Sequence, residues 1–234
     1  MHLFCHENPE TLSLETEVVE TRPGRAVLGQ SPFYPGGGGQ LADRGVLRWR
    51  DGEVTVTGFE YSAGKLWHLL ESQAEIAGMV EAVVDPDFRR KMRQLHTDTH
   101  ILNALVFQTF DGALVTGVQM AGDGTARMDF DVPNADNDRL RALEGPINDL
   151  IRQDIPVNFA YVPMHEAQAE RGLIRSRSVA PPPTPDGLIR VVEIEGLDRG
   201  GTHLASTRGS PPIRILKVDN KGRHNRRVRI ALAE

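Results

Sequence analysis

The sequence predicts an α+β protein in two parts. Residues 1–84 form a β-rich domain, a small barrel or sandwich, and residues 85–234 an α+β domain with helices on a largely antiparallel sheet. Three observations predict it. Short alternating runs punctuated by Gly and Pro fill the first third of the chain, as small all-β units require. The character then changes at Asp85-Pro86, an N-cap residue followed by a proline suited to the first helical position. Beyond it, helical periodicity alternates with further strand runs and hairpin signals.

The expected strands of the first part are Ser13–Val19, Val46–Trp49, Val54–Tyr61, Lys65–Leu69 and Met79–Val84. Between the first two lies Ser31-Pro32-Phe33-Tyr34-Pro35-Gly36-Gly37-Gly38-Gly39-Gln40, whose four consecutive glycines hold no regular element cheaply. Phe33 and Tyr34 read as core residues rather than stacking platforms. In the second part, Phe88, Met92, Leu95, Thr99, Leu102 and Val106 form one stripe of a helix over about 86–110, stopped near Gly112. Gly117–Ala121 and Thr125–Phe130 flank a turn at Gly122-Asp123-Gly124. A second helix over about 136–153 should kink or break at Gly145-Pro146. Val157–Val162, Ile189–Ile194, Ile213–Val218 and Arg227–Leu232 read as strands, His165–Gly172 as a short helix or turn, and the proline-rich Ala180–Asp186 as an extended loop.

Composition bounds the function. The chain has 234 residues, 39% hydrophobic and 25% charged, enough apolar material for a core. No window approaches 18 uninterrupted apolar residues, so no membrane span or membrane partner is expected. The N-terminus lacks the pattern of a secretory signal, and Cys5 is the single cysteine, which excludes an internal disulfide and a zinc site built from a Cys cluster. A cytoplasmic protein is the expectation. Net charge is −5, which disfavours a generic polyanion binder, yet Lys217, Lys221, Arg223, Arg226, Arg227 and Arg229 face only Asp219 across the last basic stretch. That end reads as a solvated hairpin face or as a local phosphate contact.

Eight histidines are present. His96 and His100 lie at i and i+4, which puts both imidazoles on one helix face, on the flank of the apolar stripe. That spacing suits two ligands of one metal ion, or two half-exposed helix histidines. His203 sits in Arg199-Gly200-Gly201-Thr202-His203, where paired glycines allow a close backbone approach or make a plain turn.

Three stretches together resemble the alanyl-tRNA editing family, which comprises the freestanding AlaX-type proteins and the editing domain of alanyl-tRNA synthetase. Phe33-Tyr34-Pro35-Gly36-Gly37-Gly38-Gly39-Gln40 with Asp43-Arg44-Gly45 is similar to its glycine-rich motif. His96-Thr97-Asp98-Thr99-His100-Ile101-Leu102 is similar to its paired-histidine motif, and Gly200-Gly201-Thr202-His203-Leu204 with Thr207 to its third. Arg127-Met128-Asp129-Phe130 fits a family strand, and the likeness runs from about residue 27 to 232.

The resemblance implies a β-barrel like those of translation factors, then an editing domain shared with threonyl-tRNA synthetase. It implies a hydrolase acting in trans on mischarged tRNA(Ala), chiefly Ser-tRNA(Ala) and also Gly-tRNA(Ala). It implies zinc held by His96, His100 and His203; Gln40, whose amide offers a donor and an acceptor to the terminal nucleotide or the amino acid, is expected to be catalytic with them. One departure stands out: Arg199 occupies the position where the family often has a fourth ligand, Cys. A water in the fourth position is the reading we favour. Asp198 or Cys5 as the ligand, or a weak or absent metal beside the guanidinium, are the alternatives.

The chemistry assigns further roles. Backbone N–H groups of Gly37, Gly38 and Gly39 suit a phosphate or an oxyanion, or the loop is a wide inter-strand turn. Selecting serine over alanine needs a partner for one hydroxyl, for which Thr116, Thr99 and Thr202 are candidates. Asp98 is expected on the surface, and Asp129 either orients a ligand histidine or sits on a sheet face. tRNA contact would come from the basic end and Arg171, Arg175 and Arg177. The competing readings are a tRNA-binding module with a disabled site and a zinc hydrolase of another aminoacyl ester.

Overall fold

Six short strands between residues 13 and 84 close on themselves. The computed structural model describes residues 3–133, 136–169, 186–194, 197–198 and 203–233. After a single-turn helix α1 (Phe4–Glu7) come β1 (Ser13–Arg22), β2 (Arg25–Leu28), β3 (Gly45–Trp49), β4 (Gly52–Ser62), β5 (Lys65–Leu70) and β6 (Gly78–Val84). They form an antiparallel barrel in the order β1-β2-β5-β4-β3-β6, with β6 returning to β1. Closure removes every sheet edge and settles the choice between barrel and sandwich. Alternate residues fill the interior: Val18, Ala26, Leu28, Leu47, Val54, Val56, Val80, Ala82 and Val84 are buried with Phe33. The sequence reading missed β2, because its apolar run Ala26-Val27-Leu28 is too short to alternate; pairing with β1 and β5 makes it a strand.

The chain divides into two compact units, one of residues 2–37 and 41–90, the other of residues 38–40 and 91 onward. Helix α2 spans Pro86–Thr109. Asp85 caps it, its Oδ1 accepting from the amides of Asp87 and Phe88 at 3.0 Å each. Every residue of the expected apolar stripe is buried. Past the helix end Gly112 takes φ 84° and its amide donates to the Phe107 carbonyl.

The second unit continues with β7 (Leu114–Met120), β8 (Thr125–Asp131), α3 (Asn137–Arg141), α4 (Glu144–Arg152), β9 (Val157–Pro163), α5 (Met164–Ala169), β10 (Leu188–Ile194), β11 (Leu197–Asp198), a 3₁₀ turn (Thr207–Gly209), β12 (Ile213–Lys221) and β13 (Asn225–Leu232). Its strands form two antiparallel sheets where one was expected, β12-β13-β8-β7 and β11-β10-β9. The expected break in the second helix falls at Ala142–Leu143, ahead of Gly145-Pro146. Pro146 lies in the first turn of α4, where its missing N–H costs no hydrogen bond. The proline-rich stretch through residue 185, with Arg171, Arg175 and Arg177, lies outside the described residues, as do Arg199 to Thr202.

The four-stranded sheet has one apolar face and one charged face. Met128, Phe130, Val228, Ile230 and Val218 are buried on the first. Arg127, Asp129, Arg227, Arg229, Lys217 and Asp219 alternate with them on the second.

Candidate metal centre

Helix α2 presents His96 and His100 one turn apart, their rings stacked at 5.0 Å with an interplanar angle of 22°. His203 joins them, its ring centroid 4.5 Å from that of His96 and 4.8 Å from that of His100. One ligand atom from each residue lies within 4.8 Å of the others. Three imidazoles converging this closely are a donor set for a divalent ion of the zinc type. His96 and His203 are buried and His100 is half-buried.

That burial is deeper than a position on the flank of the helix stripe predicts, and the glycine-rich segment accounts for it. Gly36, Gly37, Gly38 and Gly39 have φ of 93°, 129°, 58° and 85°, a run of positive φ that strongly favours glycine. The run lays Gly39 against β7, where its carbonyl accepts from the Met120 amide at 2.8 Å. A Cβ on Gly39 would meet Val118 Cγ1 at 2.4 Å and the Val118 carbonyl oxygen at 2.7 Å. A Cβ on Gly38 would lie 3.8 Å from His96 Cε1, so this backbone packs over the ring. Earlier in the loop, the Tyr34 hydroxyl donates to the Gly37 carbonyl at 3.0 Å.

The next residue, Gln40, is 3% exposed, and its Oε1 sits 2.6 Å from His96 Nδ1. An amide oxygen only accepts, so His96 carries its proton on Nδ1 and its lone pair on Nε2. His203 is held in a related way. Thr97 Oγ1 donates to the Arg93 carbonyl at 2.9 Å and lies 3.3 Å from His203 Nδ1. With the hydroxyl proton on Arg93, Nδ1–H of His203 donates to Thr97, and Nε2 again holds the lone pair. The main chain is fastened at the same place: Arg93 Nε donates to the His203 carbonyl at 2.7 Å, and the Leu204 amide to Thr97 Oγ1 at 3.2 Å.

The sequence reading passed over Arg93 and Thr97. The i and i+4 spacing of Arg93 and Thr97 on the helix was visible, but nothing in it shows which carbonyl they grip. Thr207, the last residue of the third motif, is fully buried, and its hydroxyl accepts from the Ile155 amide and donates to the Leu150 carbonyl, each at 3.0 Å. It ties the segment after His203 to the end of α4.

One expectation is corrected, and the other candidate residues take the following places. Asp98, expected on the surface, is completely buried and accepts from the Ser210 hydroxyl at 2.7 Å. Burial pushes its carboxyl up to about 8, against the lowering effect of that hydrogen bond, so it is largely protonated at neutral pH. The helix here is covered on all sides, Leu95 to Thr99 being buried without a break. Asp129 orients no histidine: Arg227 Nε and a terminal amine donate to its two oxygens at 2.7 Å each. Thr99 spends its hydroxyl on the His96 carbonyl at 2.8 Å. Thr116 stands on β7 with its hydroxyl 3.4 Å from Asn225 Oδ1, lining a cavity of about 420 Å³ with Asp131, Pro133, His224 and Asn225. None of the three histidines lines that cavity. Thr202 lies outside the described residues.

No family model matches the chain. Individual proteins do. The alanyl-tRNA editing protein AlaX-M of Saccharolobus solfataricus is 34% identical over 221 residues, 92% of this chain and 91% of that protein. AlaX-M of Methanosarcina barkeri is 35% identical over 219 residues, covering 89% and 88%. The alanine–tRNA ligase of Korarchaeum cryptofilum is 31% identical over 92% of this chain, which spans 24% of the ligase. Among the described residues, no helix is long and apolar enough to cross a membrane. With a third of its residues identical across nine-tenths of both chains, the protein belongs to the alanyl-tRNA editing protein family.

Proposed function

We propose that the chain is an aminoacyl-tRNA deacylase that removes wrongly attached serine, and also glycine, from tRNA(Ala), acting in trans in the cytoplasm without ATP. The observation that carries the reading is the convergence of His96, His100 and His203 within 4.8 Å in a chain similar to AlaX-M proteins over nearly their whole length. His96, His100 and His203 are the residues that would hold zinc, which would supply Lewis acidity toward an ester and its attacking water.

The chain's own groups do the rest. Gln40 and Thr97 hold the Nδ1 protons of His96 and His203, so both rings keep their Nε2 lone pairs at a fixed angle. The backbone amides of Gly37, Gly38 and Gly39 are donors for the charge that develops on the carbonyl oxygen as water adds to it. Thr116 and Thr202 remain the proposed partners of the serine hydroxyl, the group that alanine lacks.

One observation favours a second reading. Arg199 stands where the family often has Cys, which suits a tRNA-binding module with a disabled site. Serine release from Ser-tRNA(Ala), run beside Ala-tRNA(Ala) with added zinc, separates the two. Serine-selective release supports editing. Tight tRNA binding by zinc-loaded protein with no release supports the disabled module. Release from an unrelated mischarged tRNA at an equal rate points to another aminoacyl ester.

A further inference from the structure

The charged face of the four-stranded sheet carries cations in register across it. Gln119 on β7 pairs with Arg127 on β8, Arg127 with Arg229 on β13, and Arg229 with Lys217 on β12. These four residues form one row across the sheet, and with strands about 4.8 Å apart it spans about 15 Å. Like charges directly opposite on neighbouring strands repel. Here Arg127 faces Arg229, and Arg229 faces Lys217, all with exposed side chains.

The carboxylates on the face do not balance them. Asp219 accepts from Lys217 at 2.7 Å and has Arg229 Nε at 3.9 Å. Asp129 is engaged by Arg227 and has Arg127 at 3.9 Å. Each of these two acids is shared by two cations. The registers put Arg214 and Lys221 on the same face, Arg214 opposite Ala231 and Lys221 opposite Asn225. Six cations thus stand with three carboxylates, Asp131 being the third, on a chain of net charge −5. On the barrel the ratio is nearer balance: Arg22, Lys65, Arg48 and Arg25 stand with three carboxylates, Glu20 shared by Arg22 and Lys65, Glu53 with Arg48 and Glu60 with Arg25.

The row also leads to the candidate site. Its β7 end is Gln119, which accepts from Arg127 Nε at 2.9 Å. The adjacent Met120 amide donates to the Gly39 carbonyl, one residue before Gln40. An extended polyanion lying across the row therefore ends beside the loop that holds His96. We propose that this face, through Arg127, Arg229 and Lys217, docks the phosphate backbone of the tRNA whose 3′ end enters the site. The inference rests on the editing reading for the identity of the RNA, and on the register for the surface. It reassigns the basic end residue by residue. Arg226 turns to the buried face and donates to the carbonyls of Gly222 and Asn225, so it takes no part.

The test is binding of uncharged tRNA(Ala), followed by fluorescence anisotropy from 50 to 300 mM KCl, with the triple variant Arg127→Gln, Arg229→Gln, Lys217→Gln. Each lost phosphate contact lowers the slope of log K against log salt by about 0.7–0.9, so the slope should fall by about two to three. A control triple, Arg22→Gln, Arg48→Gln, Lys65→Gln, removes the same charge from the barrel and should leave the slope unchanged. Hydrolysis of the 3′-seryl ester of adenosine, which has no phosphate, should proceed equally in wild type and face variant. An unchanged slope in the face variant, or an equal fall in the control, overturns the inference while the editing reading stands. A wild type that neither binds nor deacylates tRNA overturns both. If the triple fails to fold, Arg229→Gln and Lys217→Gln singly should each lower the slope by about one, and a slope equal to wild type in both overturns the proposal.

Discussion

Gln40 Oε1 lies 2.6 Å from His96 Nδ1, and both side chains are buried. A carbonyl oxygen in that place fixes which ring nitrogen is protonated, and so which one faces a metal ion. Gln40 thereby acts through His96 as a positioning residue. Gln40→Ala should weaken zinc binding and deacylation by about 10–100-fold, the usual cost of losing a group that orients a ligand. Thr97→Val should act in the same range through His203, and Thr97→Ser should restore most of the loss. Competition with a chromogenic chelator measures the affinity. Unaltered zinc affinity in both Gln40→Ala and Thr97→Val would refute the positioning role.

Gly39 is the least replaceable glycine of its loop. Gly39→Ala combines a φ of 85° with a Cβ pressed against Val118 side chain and backbone. The backbone strain costs about 1–2 kcal/mol and the overpacking about 1–3 more. Because the clash includes a main-chain oxygen, Val118→Ala should not rescue it. Gly64→Ala, with φ of 73° and open space around its Cβ, should cost only the strain. Chemical denaturation compares the two; equal losses would contradict the packing argument.

Asp43 and Arg89 form an ion pair with side chains 0% and 1% exposed. Asp43 also accepts from the Tyr34 amide at 2.6 Å, and Arg89 donates to the carbonyls of Pro9 and Pro32. The pair pins the stem of the glycine-rich loop. Removing one partner leaves the other buried without its counter-charge, so Asp43→Ala or Arg89→Met should each cost about 3–5 kcal/mol. A loss below about 1 kcal/mol in urea unfolding would contradict it.

His68 supplies a pH signature. Burial pushes its imidazole down to about 4, against the raising effect of the Ala26 carbonyl. It packs edge-on against Phe33 and Phe59, with Ser31 Oγ 2.7 Å from Nε2. The folded chain holds this ring neutral, while the unfolded chain protonates it near pH 6.5. Its contribution to stability is therefore complete above pH 6.5 and is lost as pH falls toward 4, at about 1.4 kcal/mol per unit. His68→Gln should be less stable at pH 7 yet lose less between pH 6.5 and 4. Parallel stability curves for variant and wild type would contradict the assignment.

The sequence made much of this legible, and its gaps have physical reasons. Alternation located five barrel strands, but β2 became a strand only through partners on both sides. The capping pair Asp85-Pro86 and the stripe from Phe88 to Val106 marked α2 within a residue or two. The three histidines could be grouped because their motifs recur together. Asp98 could not be placed, since the segment carrying Ser210 comes from more than a hundred residues away. The basic end could be seen as a charge run, but only the register separates Arg226, turned to the core, from Arg227 and Arg229 on the open face. Hydroxyl and guanidinium contacts to main-chain carbonyls, as made by Thr97 and Arg93, leave no periodic trace.

On the proposed function, His96, His100 and His203 form a metal-dependent editing centre. The most direct measurement is the rate of serine release from Ser-tRNA(Ala) by chelator-stripped protein, before and after one equivalent of zinc, with His203→Ala alongside. Negligible release is expected when stripped, full recovery with zinc, and no recovery in a His203→Ala variant that melts like the stripped wild type. Full-rate release by metal-free protein, or by His203→Ala, would contradict it.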